Sequence, residues 1–435
     1  MTEIRLGYGR DSQKFPFDES RFRVLPPHAG CPRGDPGLGE SSPVQKPLTD
    51  IEIGDAFSAP IDSPPLDDLF FPGDSVLIVV SDATRATASA QIVNLLVRRV
   101  IQNGVSPGDI AIIFATGIHR AVTPAEKIEL LTPFIAQRVR TLDHSAHDPS
   151  AVIRLGTTER GSPVEVNRAL RDFNHVVTTG AIGYHYFAGF TGGRKSICPG
   201  LASATTIEAT HMLALDFEKG GRRSGVGTGQ LTGNAVHEEC DRVAEMIQPR
   251  FSINTVVDDR GRAIGIYAGH WRAAHAVGCQ EYLGSHSTEL NGTRKLVVVS
   301  CGGSPYDINL IQAHKALDMA AHACTEGGTI ILLAECGDGL GHPNFLKWFE
   351  AGNSDALGAR LRDEYEVNGQ TAWALLTKAE RYRIVLVSDL PAEEVRRMRM
   401  LPARSLAEAL REVEHDVDGY IMPRGSAVLP LLNSR

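Results

Sequence analysis

Two continuous apolar runs constrain most of what this chain can fold into. Residues 76–80 read Val-Leu-Ile-Val-Val and residues 110–115 read Ile-Ala-Ile-Ile-Phe-Ala. Neither run alternates with polar residues, so each predicts a strand covered on both faces, as in a parallel sheet flanked by helices. Helical patterns follow them. Ile92, Leu95, Leu96 and Val100 share one side of a helix expected over about residues 89–103. Thr123-Pro124-Ala125-Glu126 opens another, with a cap, a proline at the first position and a glutamate three residues after the cap. A third apolar run ends near Val177. This alternation predicts an α/β, doubly wound sheet, in which ligands gather at the carboxyl ends of the strands. The polar clusters fall at those ends. Asp82-Ala83-Thr84-Arg85 follows the first run, Gly117-Ile118-His119-Arg120 the second, and a glycine-rich stretch the third.

That stretch, residues 179–200, reads TGAIGYHYFAGFTGGRKSICPG and holds six glycines in 22 residues. Glycine at this density allows positive φ and close approach of backbone to a ligand. Gly192-Gly193-Arg194-Lys195 has the form of a backbone nest, whose N–H groups attract an anion. His185 and Lys195 stand ten residues apart with glycines between them, which favours a site over a plain loop. A helix over about residues 205–217 carries His211, a mid-helix position that a satisfied core histidine explains better than a ligand does. A second glycine cluster, residues 225–233, does not open a clean helix and makes a poor phosphate loop. Asn234 and His237 follow it.

A second α/β domain is expected to begin near residue 288. Residues 295–300 read as a strand, and Asp307 as the N-cap of a helix to about residue 324. On that helix Gln312 and Lys315 share a face. Further strands are expected at 329–334 and 384–388, and a helix at 406–413. The closing strand near 419–422 is expected to return to the first domain. The resulting division is 1–285 plus 410–435 for an N-terminal unit and 286–409 for a C-terminal one. The first 50 residues, poor in periodicity and rich in proline and glycine, read as an arm over the first domain. The chain of 435 residues carries a net charge of −8 and a pI near 6.0, so it lacks the basic footprint of a nucleic-acid binder. No apolar run approaches the roughly 18 residues of a membrane span, and the opening MTEIRLGYGR is not a signal peptide. Seven scattered cysteines without a CxxC pair argue for reduced thiols and a cytoplasmic protein.

Two histidines past strand ends, His119 and His185, can face one substrate as general base and general acid. Arg85 suits a bidentate grip on a carboxylate. No HExxH, CxxC or 2-His-1-carboxylate spacing is present, so a metal would need ligands from elsewhere, such as a cofactor. Walker A, GxGxxG and nucleophile-elbow motifs are absent as well.

Taken together, these motifs resemble the lactate racemase family, enzymes that use a nickel-pincer nucleotide. The resemblance runs from Asp82 to about Gly425. It rests on Asp82-Ala83-Thr84-Arg85, Gly117-Ile118-His119-Arg120 with Thr123 and Glu126, His147-Asp148-Pro149, residues 185–200, His211, Asn234 with His237, and Gln312 with Lys315. It implies two domains, each a mostly parallel sheet flanked by helices, with the active site in the cleft between them. It implies that Lys195 binds the cofactor (pyridinium-3-thioamide-5-thiocarboxylic acid mononucleotide) covalently, helped by Gly192 and Gly193, and that His211 ligates its nickel. It implies His119 and His185 as the acid/base pair, with Arg85, Asp82, Gln312 and Lys315 on the substrate. The implied reaction is a concealed redox step, in which a hydride leaves the substrate's Cα, a flat 2-keto acid forms, and the hydride returns to the other face.

The chain departs from the pattern at Ala86, where the family usually has proline, and at Ile311, where it tends to have tyrosine. Both border the expected substrate and favour malate or another acid larger than lactate, with lactate kept as an alternative and the activity read as that of a racemase or a C2 epimerase. Arg120, Arg194 and Lys315 are candidates to hold a second carboxylate. Maturation enzymes are the implied partners, and assembly as a homo-oligomer is left open. A non-catalytic cofactor carrier would need Lys195 and His211 but not the two histidines. A nicotinamide dehydrogenase is disfavoured by the missing fingerprint.

Overall fold

The computed structural model describes residues 2–25, 46–219, 221–413 and 417–433. The proline- and glycine-rich part of the N-terminal arm, residues 26–45, lies outside them. The chain forms two compact units, Gln45–Ala214 with Arg223–Tyr282, and Met1–Val44 with Leu215–Arg222 and Leu283–Arg435. No helix among the described residues is long and apolar enough to cross a membrane.

The unit of residues 45–214 and 223–282 is built on a six-stranded sheet. Its spatial order is Ala263–Gly269, Phe251–Val257, His175–Ala181, Val76–Ser81, Ile110–Ala115, Arg140–Asp143. All neighbours are parallel except the first pair. The apolar runs at 76–80 and 110–115 are central strands in which every residue but the last, Ala115, is buried, as burial on both faces requires. The helix Ser89–Gln102 presents Ile92, Val93, Leu96, Val97 and Val100 to the core. The helix Pro124–Ala136 starts with the expected reciprocal capping box between Thr123 and Glu126. From Val76–Ser81 the chain winds outward to Arg140–Asp143, then returns to place His175–Ala181 on the other side of Val76–Ser81. That reversal is a topological switch point, where crossovers diverge and leave a crevice. Asp82 to Arg85 leave one of its two strands, and the glycine-rich stretch leaves the other.

The second unit has its own six-stranded parallel sheet. Its order is Leu401–Ala403, Arg383–Val387, Cys324–Leu333, Arg294–Ser300, Gly419–Met422, Phe22–Val24. Here the structure departs from the expectations drawn from the sequence. Gly419–Met422 does not return to the first unit, because it pairs with Arg294–Ser300. The N-terminal residues also belong here. Thr2–Tyr8 and Asp11–Phe17 form a hairpin whose Ile4, Leu6, Phe15 and Phe17 pack with Val298, Ile331 and Val385, and Phe22–Val24 becomes an edge strand. The expected cap Asp307 is also replaced. Asn309 caps the helix Leu310–Ala323, while Asp307 accepts the backbone N–H groups of Gly9 and Glu335. The segment Leu215–Arg222 joins this unit, with Arg222 at 3.6 Å from the buried carboxylate of Asp318.

Candidate active site

At the switch point, Asp82 is buried and takes three hydrogen bonds. Thr84 donates its backbone N–H (3.0 Å) and hydroxyl (2.6 Å) to Oδ1, and Nδ1 of His119 lies 2.7 Å from Oδ2. Burial alone would raise the carboxyl pKa, but the bonds from His119 and Thr84 outweigh it and hold Asp82 below the usual range. An ionised Asp82 assigns the Nδ1 proton to His119, which leaves Nε2 as a lone pair whenever the ring is neutral. The His119 side chain is 46% exposed, so it can meet a substrate. Asp82, expected on the substrate, thus bonds to the histidine. Its position after a strand was legible; its partner, 37 residues away, was not. Arg85 follows in the same turn, its N–H bonded to the Asp82 carbonyl at 3.1 Å, and its side chain is exposed.

The glycine-rich stretch folds back as a short hairpin, Tyr184–His185 against Gly189–Phe190. Gly189 has φ +78, and a Cβ there would lie 2.0 Å from the Gln230 carbonyl oxygen, so only glycine fits. His185 Nδ1 accepts the Ala188 N–H at 3.2 Å, and its ring meets the edge of Phe187 at 4.5 Å. The next turn, Gly193–Ser196, is not the open nest that the sequence suggests. The Gly193 N–H is already taken by Asn254 Oδ1 at 2.7 Å. Arg194 points inward, donating to the carbonyls of Ala188 (2.9 Å) and Phe190 (3.2 Å) and lying 3.0 Å from His275 Nε2. It is therefore a brace for the hairpin and not a free carboxylate ligand. Arg120 is likewise engaged, by Glu126.

Lys195 and His211 come together across Phe187. The lysine Nζ lies 5.8 Å from the Phe187 ring centre, and the ring of His211 meets Phe187 at 5.0 Å. Burial lowers the Lys195 pKa to about 8, with the charges of Arg194 and Arg85 adding to the effect against Cys240. Burial and the Lys195 charge push His211 to about 3, so its imidazole is neutral, the form that binds metals. Ser203 caps the helix Ala204–Met212 that carries it. Phe187 and Asn254 were not singled out in the sequence. An aromatic among four and an asparagine in a strand carry no local signal of such roles.

Among the described residues, no group of three or more His, Cys, Asp or Glu side chains converges to hold a metal. The six described cysteines are all buried free thiols. Gln312 and Lys315 lie in the other unit, on the helix Leu310–Ala323, where the lysine Nζ donates to Gln312 Oε1 at 2.7 Å.

Comparison with known proteins agrees with this architecture. The family model described as the lactate racemase N-terminal domain matches residues 37–221, and the one described as the lactate racemase C-terminal domain matches residues 291–428. A lactate racemase of Lactiplantibacillus plantarum is 31% identical over 388 residues, 86% of each chain. One from Thermoanaerobacterium thermosaccharolyticum is 29% identical over 440 residues, 99% of each. The solved structure of that organism's lactate racemase apoprotein superposes with a TM-score of 0.88 at 27% identity, covering 99% of this chain and 100% of that one. A Thermotoga maritima protein shares the fold alone, with a TM-score of 0.65 at 21% identity, covering 89% of this chain and 99% of that one. The chain belongs to the lactate racemase family, and so to the isomerases.

Proposed function

We propose that this chain racemises a 2-hydroxy acid with a nickel-pincer nucleotide held by Lys195 and His211. The observation that carries the reading is the pairing of two arrangements in one unit, the Asp82–His119 dyad and the Lys195–Phe187–His211 cluster. The donor set fits such a group. A lysine whose pKa burial lowers to about 8 is neutral far more often than an exposed lysine, in the form able to make a covalent bond. A single neutral histidine suits a metal whose remaining ligands come from an organic partner. Held there, that group would supply a hydride acceptor for inversion at Cα.

The chain's own residues supply the rest. Arg85 holds the substrate carboxylate. His119, oriented by Asp82, takes the hydroxyl proton of one enantiomer through Nε2, and His185 serves the other. Gly192 and Gly193 shape the cofactor loop. Ala86 and Ile311 favour an acid larger than lactate, with malate first among them. Maturation enzymes and a reducing cytoplasm complete the reading. A cofactor carrier would have no use for the Asp82–His119 dyad.

The test is to load the protein with the nickel-pincer nucleotide and follow enantiopure lactate and malate by chiral chromatography. Racemisation of malate in preference to lactate is expected, and inversion of neither would overturn the reading. Intact mass should show the adduct on the wild type and none on Lys195→Ala. Metal analysis should show nickel lost from His211→Ala.

A further inference from the structure

Residues 200–202 form the joint through which the separate parts of the site are tied. Their three consecutive carbonyls each accept a hydrogen bond from a different segment. Gly200 accepts from the N–H of Gly117 at 2.9 Å, and Leu201 from the N–H of Asn167 at 2.8 Å. The Ala202 carbonyl lies 3.1 Å from His144 Nε2. The Gly200 N–H returns to the Lys195 carbonyl at 3.0 Å, and Ser203 starts the helix that carries His211. Gly117 belongs to the turn that presents His119, whose Thr116 hydroxyl also bonds the His144 carbonyl at 3.2 Å.

His144 is the side chain that closes this joint. It is 3% exposed. The Asn167 amide nitrogen donates to its Nδ1 at 3.1 Å, which fixes the neutral tautomer with the proton on Nε2. That proton points to the Ala202 carbonyl. Asn167 is itself held, because its Oδ1 accepts the Ala169 N–H at 3.0 Å. The order Asn167 to His144 to Ala202 therefore has one direction, and each donor meets an acceptor.

We propose that His144, with Asn167 behind it, is a positioning residue that keeps His119, Lys195 and His211 in mutual register. This deepens the proposed racemase reading, on which it rests. It touches no substrate and acts through residues 200–202. If the Ala202 carbonyl is released, the connection between Lys195 and His211 can shift relative to the Gly117 turn. A displacement of about 1 Å lowers turnover about a hundredfold without requiring loss of binding.

The experiment compares His144→Leu, His144→Gln and Asn167→Ala. Glutamine places its amide nitrogen near the position of Nε2 and keeps the donor to Ala202. Hydrogen exchange on the apoprotein is the first readout and does not depend on the catalytic reading. His144→Leu is expected to lose protection at residues 115–120 and 200–212 together, while the strand Val76–Ser81 keeps it. His144→Gln is expected to restore protection at both. In the loaded enzyme, kcat of His144→Leu should fall about tenfold to a hundredfold with KM little changed, with Gln recovering most of it. Should His144→Leu fail to fold, Asn167→Ala carries the same expectation, weaker in size. Unchanged exchange in every folded variant overturns the proposal, as does lost protection spread evenly over the whole unit. An inactive loaded wild type with the expected exchange pattern would overturn the racemase reading while leaving the joint intact.

Discussion

Acidification should unfold the unit that carries Lys195 and His211 through its buried histidines, and His275 isolates the effect. His275 is buried, with Nε2 placed 2.9 Å from the Thr191 carbonyl and 3.0 Å from Arg194. Burial first, and then the Arg194 charge, push its pKa from 6.5 to about 3, against the bond to Thr191. The folded state thus holds His275 neutral where the unfolded chain would protonate it. Stability from this group is complete above the unfolded pKa of 6.5 and drains away as pH falls toward 3. At pH 5 the unfolded state gains about 2 kcal/mol from protonating one such histidine. That is a large share of a stability of roughly 5–15 kcal/mol. Hydrogen exchange over the strand Phe251–Val257 at pH 7.5 and 5.0 measures the opening free energy of this unit, once corrected for intrinsic rates. His275→Gln, which cannot titrate, should lose about 2 kcal/mol less than the wild type between the two pH values. Equal losses in both proteins would refute the reasoning.

Asp82→Asn should lower kcat of the loaded enzyme about a hundredfold or more with little change in KM, because the amide cannot fix the His119 tautomer; a chiral assay with unchanged kcat would remove Asp82 from the dyad. Asp318 lies 2.6 Å from the buried Lys378, so Asp318→Asn should destabilise its unit by about 3–5 kcal/mol. Urea denaturation would show this as a lower midpoint, and a change below about 1 kcal/mol would indicate a well-solvated pair. Gly193 has φ +53, and a Cβ there would lie 2.7 Å from the His275 ring. Gly193→Ala should therefore destabilise the fold by at least about 1–3 kcal/mol, read by the same denaturation.

Elements with strong local patterns were legible in the sequence. Val76–Ser81 and Ile110–Ala115 announced themselves by unbroken apolar runs, and the helix at Pro124 by its cap. What was not legible depended on partners distant in the chain. The alternation of Ile4 and Leu6 with polar neighbours was a strand signal, hidden by the proline- and glycine-rich residues that follow. Nothing local could tell that Gly419–Met422 would choose Arg294–Ser300, because an apolar strand fits either sheet. At the site, His119, His185 and Lys195 stood out as candidates, since glycine density and strand ends mark such places, whereas His211, inside the helix Ala204–Met212, was singled out by the family resemblance alone. The bonds that set their chemistry were not legible. The Asp82 carboxylate and the Phe187 ring acquire their roles only from three-dimensional neighbours. The expected anion nest failed because Asn254, 61 residues on, occupies its N–H.

The membership of the N-terminal hairpin in the second unit bears on how the protein is made. The ribosome delivers Ile4, Leu6, Phe15 and Phe17 first, yet their partners Val298, Ile331 and Val385 emerge much later. The edge strand Phe22–Val24 waits longer still for Gly419–Met422. Meanwhile the whole sheet of the other unit, through Ala263–Gly269, can leave the exit tunnel and fold. Nascent chains stalled far enough past Tyr282 for that residue to clear the tunnel should therefore hold a finished sheet behind an apolar leader with no core to enter, the state in which a holdase chaperone has most to bind.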